Sequence, residues 1–156
     1  MPVFRISKYD PQFRIHGKYT ADEWSDYSDI GSSFNGKILT EEDYLLTEKC
    51  YIQCIIEILY QSHISSLRII NLEKYEECVW TEGQNVTLGN IDAIICDCLR
   101  NVCWCKLERD DVYVHFGYDY YVYMSSHTDS DTMIGICDKY NLFAEKILAS
   151  PYDVIH

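Results

Sequence analysis

The sequence predicts an α+β fold: a mostly antiparallel sheet packed against about three helices, one of them central and nearly buried. Three observations carry that expectation. Residues 40–61 and 91–102 place apolar side chains at helical spacing. Residues 103–108 and 112–124 alternate with a period of two, as half-buried strands do. Helix-like and strand-like stretches also interleave in mixed order, which suits helices set beside an antiparallel sheet. At 156 residues the chain has the length of one ordinary domain, so residues 1–156 are expected to fold as a unit.

The elements follow in order. Val3 to Tyr9 alternates enough to form a strand, and Asp10-Pro11 stops it. Residues 16–39, rich in Gly, Ser, Asp and Asn, predict a loop with one short helical turn. Thr40-Glu41-Glu42-Asp43 is a helix start, with a capping Thr and three acids in the first turn. The helix should run to about Gln61. Lys49, Gln53, Glu57 and Gln61 recur every fourth residue among apolar neighbours, so the expected wet face is a thin stripe. Leu67–Leu72 predicts a strand and Glu73–Gly83 an acidic connector.

A second helix is expected from Thr87 or Asn90 to Asn101, since Ile91, Ile94, Ile95, Cys98, Leu99 and Val102 share one face. Cys103, Cys105 and Leu107 then alternate with Trp104, Lys106 and Glu108, and Arg109-Asp110-Asp111 makes a turn. Val112, Val114, Phe116, Tyr118, Tyr120, Val122 and Met124 share one parity beyond it. The parity survives Gly117, which leaves either one kinked strand or a tight corner there. Asp131–Tyr140 predicts a third helix, and Leu142–Leu148 a last strand.

Charge narrows the partners. Twenty-five acidic residues against thirteen basic ones give a net charge of −12. Four of the bases (Arg5, Lys8, Arg14, Lys18) fall in the first eighteen residues, so the remainder is more acidic still. Such a field repels phosphate backbones and anionic membranes, so neither nucleic acid nor membrane is an expected partner. It attracts a basic partner and speeds the encounter. The longest apolar run, Tyr120–Met124, is far short of the about 20 residues that span a bilayer. No apolar leader opens the chain, and a cytoplasmic location is expected.

Catalytic motifs are sparse: glycine-rich phosphate loops, His-Glu-x-x-His and Gly-x-Ser-x-Gly do not occur. His115 and Asp119 are the best acid–base candidates, but about 13 Å separates such positions on an extended strand unless Gly117 folds the chain. Eight cysteines raise the alternative of a metal or thiol module on Cys96, Cys98, Cys103 and Cys105. No two-residue Cys knuckle is present, however, and core packing is the simpler role. No metal or other cofactor is expected. Two aromatic and polar groups suit a protein interface instead. One is the segment Asp22, Glu23, Trp24, Asp26, Tyr27, Asp29. The other is the strand face Tyr113, His115, Asp119, Tyr121, Tyr123, which could equally be a smaller core under the third helix.

Several of these stretches resemble a known family. They are Asp22-Glu23-Trp24 through Ser28-Asp29-Ile30-Gly31, Phe34-Asn35-Gly36 with Leu39-Thr40-Glu41-Glu42-Asp43-Tyr44, and Trp104–Glu108 with Val114–Tyr121. They resemble immunity proteins of bacterial polymorphic toxin and contact-dependent growth-inhibition systems. The likeness covers chiefly residues 1–60 and 99–124; residues 63–98 take no part in it. It implies a non-enzymatic inhibitor that binds the C-terminal domain of one cognate toxin, typically a nuclease with a basic cleft. Because each member meets its own toxin, no contact residue carries over. The rival expectations are a small enzyme using His115 and Asp119, with Cys105 nearby, and the cysteine module.

Overall fold

The computed structural model describes residues 1–153. In chain order, strand β1 (Val3–Ser7) is followed by two short ribbons, β2 (Arg14–Ile15) with β3 (Lys18–Tyr19) and β4 (Ser33–Phe34) with β5 (Lys37–Ile38). Helix α1 (Glu41–Gln61), β6 (Ser66–Lys74), β7 (Asn85–Thr87) and α2 (Ile91–Leu99) come next. The chain continues through β8 (Cys103–Arg109), β9 (Val112–Phe116), β10 (Val122–Ser125), α3 (Ser130–Lys139) and β11 (Phe143–Ile147). Seven strands form one antiparallel sheet in the order β11-β1-β10-β9-β8-β6-β7. The fold is α+β.

The helices begin and end on local chemistry. Thr40 accepts the Asp43 N–H at 3.1 Å to open α1, and Asp129 accepts from Thr132 to open α3. All three helices end alike, with His63, Asn101 and Asn141 in the left-handed region at φ 58°, 61° and 59°. The next residue's N–H then closes back on the last turn: Ile64 to Leu59, Val102 to Asp97, Leu142 to Cys137. Asn tolerates this conformation better than most side chains, which is why helices stop there.

One face of the sheet carries the main core. Phe4, Ile6, Leu67, Ile69, Cys105, Leu107, Val114, Val122 and Met124 join Tyr51, Ile55 and Ile58 of α1 in a single buried cluster. Helix α1 lies between α2 and α3, with α2 against β8 and α3 against β11. The expected parity of 112–124 holds for this core, but the segment is two strands joined at a corner, not one. Tyr118 departs from its parity and is 85% exposed.

Other expectations need correction. Helix α1 is central but keeps a wet face: Leu45, Leu46 and Tyr60 are exposed because nothing covers the side away from the sheet and the two flanking helices. Two tight ribbons, one running from Arg14 into the expected loop 16–39 and one within it, have turns His16-Gly17 and Asn35-Gly36 with positive φ at both residues. Strand β7 was not expected: it falls between the connector expected to Gly83 and the helix expected from Thr87 or Asn90. Strand β6 runs on to Lys74 through a register shift between Ile70 and Glu73, with Asn71 at φ 56°. The Glu82 carboxylate accepts the Asn71 and Leu72 N–H groups that the shift frees.

Candidate binding site

The acids of segment 22–29 are all engaged within the fold, two of them on the segment's own backbone. Asp26 accepts from Ser28, and Asp29 accepts the Ser25 and Asp26 N–H groups at 2.9 and 3.1 Å, a capping box around the turn Tyr27–Asp29. Asp22 accepts the Asn35 N–H at 2.7 Å and so holds the β4–β5 turn. Glu23 accepts the Tyr19 hydroxyl and lies 3.7 Å from Lys8 Nζ. Burial pushes the Lys8 amine down to about 8, against the pull of Glu23. Trp24 is half-buried, its ring 5.0 Å from Tyr120 and 5.2 Å from Tyr44. Tyr27 packs on Tyr44 beneath the Arg100 guanidinium, 4.9 Å above its ring. Arg100 in turn forks onto the buried Glu48 with two 2.7 Å contacts.

The strand-face candidates lie on the sheet face away from the helices, so they are not a core under α3. Tyr113, His115 and Tyr123 form an aromatic layer with Tyr152 of the C-terminal segment. His115 is fully buried and stacks on Tyr113 with centroids 4.0 Å apart and planes 8° from parallel. Its Nε2 lies 2.7 Å from Glu108 Oε2, and its Nδ1 lies 2.8 Å from Ser150 Oγ. A carboxylate only accepts, so Nε2 donates to Glu108; in the neutral ring Nδ1 then accepts the Ser150 hydroxyl. Burial pushes the imidazole below its usual value, with Glu108 opposing. Ser150 Oγ also accepts the Tyr152 N–H at 3.1 Å.

Asp119 takes no part in this relay. Residues 118–121 make a two-residue turn with Asp119 and Tyr120 at φ 57° and 65°, closed by the Tyr121 N–H on the Tyr118 carbonyl at 3.1 Å. A Tyr in the left-handed region is strained. Burial of its ring offsets the cost, since Tyr120 sits 4.7 Å from Tyr51 and donates to the Tyr44 hydroxyl at 2.9 Å. The corner therefore points Tyr118 and Asp119 outward. Gly117 permits it: a Cβ there would come within 2.7 Å of the Tyr123 ring. Tyr121 lies under two guanidinium groups, Arg5 at 4.9 Å and Arg14 at 5.5 Å, both held by Glu145.

Beside this corner runs an open groove of about 630 Å³. Its acids come from three separate parts of the chain: Asp26 from the 22–29 segment, Glu73 from β6 and Asp119 from the corner. Tyr75, Trp104, Tyr118, Tyr121 and Tyr152 line it with aromatic rings. The β6 bulge sets Glu73 directly across from Trp104, whose indole N–H is occupied by the Phe116 carbonyl at 2.8 Å. Asn101 donates to Asp26 at 2.6 Å, and hydrogen bonds from Ser28, Asn101 and the Tyr27 backbone hold that carboxyl below its usual range although burial opposes them. Cys98, Leu99 and Asn101 bring the negative end of α2 to the same place. No Lys, Arg or His lines the groove among the described residues.

The sequence-based candidates thus separate. Asp26, Asp119 and Tyr121 meet in the groove, while Asp22, Glu23, Trp24, Tyr27 and Asp29 serve the local fold and Tyr113, His115 and Tyr123 the aromatic layer. Glu73, Trp104, Tyr118 and Tyr152 were not anticipated. Glu108 was within reach: a two-residue turn at Asp110-Asp111 sets Lys106 opposite His115 and Glu108 opposite Tyr113, which puts Glu108 on the His115 face.

All eight cysteines are free thiols. Cys98 Sγ touches Cys103 and Cys105 at 3.9 and 3.7 Å within the core, yet no group of three or more metal-ligating side chains assembles among the described residues. No helix among those residues is long and apolar enough to cross a membrane. In comparisons with known proteins, no family model, no curated protein and no solved structure matched this chain.

Proposed function

We propose that the chain is a non-enzymatic immunity protein, acting in the cytoplasm, that binds and neutralises the C-terminal domain of a basic toxin, a nuclease being the expected kind. One observation supports this above the others: an open groove walled by acids and aromatic rings, with no cation in its lining among the described residues, on a chain of net charge −12. Aromatic anchors supply contact area at low entropic cost, and unlike charge brings the partner in fast and in register. The motif resemblance points the same way. Calorimetry against the C-terminal domain of the polypeptide encoded immediately beside this chain tests the proposal. A one-to-one complex, weaker in moderate than in low salt and protective on co-expression, is expected. No heat and no protection would overturn it.

A second function has a specific observation in its favour. The Glu108–His115–Ser150 relay has the donor order of acyl-transfer machinery, with the carboxylate on one ring nitrogen and the hydroxyl on the other. Ser150 is nonetheless only 4% exposed, and its oxygen already takes the Tyr152 N–H. A hydrolase reading therefore requires the Pro151–Tyr152 cover to lift. Turnover of activated esters by the intact chain, abolished in Ser150→Ala, would promote it over binding.

A further inference from the structure

We infer that the groove seats an arginine side chain of the partner, its guanidinium held by Glu73 and Asp119 against the rings of Trp104 and Tyr118. The inference rests on the proposed function only in taking the partner to be a protein; recognition of the guanidinium stands on the groove itself. Three lines lead to it.

The first is the state of the carboxylates. Every ion pair among the described residues lies elsewhere, so neither Glu73 nor Asp119 has a cation. Glu73 accepts the Tyr75 hydroxyl through Oε2 at 2.8 Å, which leaves Oε1. The Asp119 carboxylate accepts no hydrogen bond from a described side chain; only its backbone carbonyl is used, by the Tyr9 hydroxyl at 2.7 Å.

The second is how the molecule treats its own arginines. Arg100 lies over Tyr27 and Tyr44 while forking onto Glu48. Arg14 lies over Tyr19 and Tyr121 while contacting Glu145. Ring faces with a carboxylate at the edge suit a planar, weakly hydrated fork of donors better than a compact ammonium. The groove repeats that combination with three carboxylates, and the carboxyl end of α2 adds further negative potential.

The third is size and delivery. The groove volume falls within the range of about 300–1,000 Å³ typical of ligand pockets. It is partly open to solvent, so an arginine side chain can enter while its flanking peptide stays outside. The buried Tyr120 ring and the Tyr9 hydroxyl on the Asp119 carbonyl anchor the corner that presents Asp119.

The test uses three blocked tripeptides, Gly-Arg-Gly, Gly-Lys-Gly and Gly-citrulline-Gly, titrated into the intact chain and followed by amide and indole NMR shifts. Gly-Arg-Gly should perturb the Trp104 indole and the 117–121 amides saturably. Gly-Lys-Gly should bind several-fold more weakly, and Gly-citrulline-Gly, isosteric but uncharged, should leave those signals still. The double variant Glu73→Gln with Asp119→Asn should weaken the arginine peptide by about tenfold or more. Asn is at home in the left-handed turn, and Gln still accepts from Tyr75, so the fold is kept. Equal binding of the arginine and citrulline peptides, or shifts only at other acidic sites, would overturn the inference. A toxin complex whose affinity is unchanged by the double variant, with no arginine-peptide binding, would overturn it while leaving the immunity function standing. Peptide binding without a toxin complex would support the groove and overturn the immunity function.

Discussion

The acidic segment 22–29 and the rim of the groove are built from the same residue types and meet at Asp26, yet their carboxylates do opposite things. Asp22, Asp26 and Asp29 accept backbone N–H groups that a stretch with little regular structure would otherwise leave to water. Glu73 and Asp119, by contrast, are placed by a bulge and a strained turn, and neither forms an ion pair among the described residues. A run of acids in a sequence is therefore weak evidence for a binding surface. Local donors decide which charges remain for a partner, and the dense segment is the one with most donors. Each substitution below tests that division.

The largest effect belongs to a carboxylate fully committed to the fold. Glu48 is 5% exposed and takes both Arg100 contacts as well as the Tyr44 hydroxyl at 2.8 Å. Arg100→Ala strands that charge and strips the cover from Tyr27. Urea unfolding should show a loss of about 3 kcal/mol, toward the low end for a broken buried pair because the Arg100 side chain is 27% exposed. A loss below about 1 kcal/mol would put Glu48 in the same class as the groove acids.

Next comes Glu108, whose partner is an imidazole. Glu108, Lys106, Asp153, Tyr113, Tyr152 and Ser150 surround His115. Its folded pKa lies below the usual 6.5, chiefly through burial, so the unfolded chain binds the proton more readily. The stability this contributes is complete above about pH 6.5 and is lost as pH falls toward the lower folded value. One group can add at most about 1.4 kcal/mol per pH unit. Unfolding of the wild type from pH 7.5 to 5 should show this slope, and His115→Gln should flatten it. An unchanged slope in the variant would place the dependence elsewhere.

Asp29→Ala removes two hydrogen bonds of the capping box and should cost about 1 kcal/mol, the usual worth of a cap. It should leave partner association and its salt dependence nearly as they were. Slower association without lost stability would move this aspartate to the binding side of the division.

Much of the main core could be read in advance, because its pattern is periodic over many residues: α1, α2 and the 103–124 parity each repeat several times. The second face could not, for physical reasons. Tyr118 carries core parity and stands in water, because the corner it belongs to reverses the chain within four residues. Ser150 reaches His115 across 35 positions, and nothing local in Ala149-Ser150-Pro151 announces it. The bulge that brings Glu73 to Trp104 hangs on Asn71 and on Glu82, eleven residues away. The two ribbons are a different case. Asn35-Gly36 is a strong turn dipeptide that the surrounding polarity hid, whereas His16-Gly17 turns the same way without that signal.

The smallest expected change is the most discriminating. Asp119→Asn alone should move stability by under about 0.5 kcal/mol, since the side chain makes no hydrogen bond or ion pair among the described residues and Asn suits φ 57° as well as Asp does. Association with a basic partner should nonetheless slow, and its rate should depend less steeply on salt, because one charge has left the groove. Paired with Asp29→Ala, it separates the two regions on two axes. One variant changes stability and spares association; the other spares stability and changes association. If both variants move both quantities together, the segment and the groove act as a single unit, and the 2.6 Å contact between Asn101 and Asp26 is the link through which they do so.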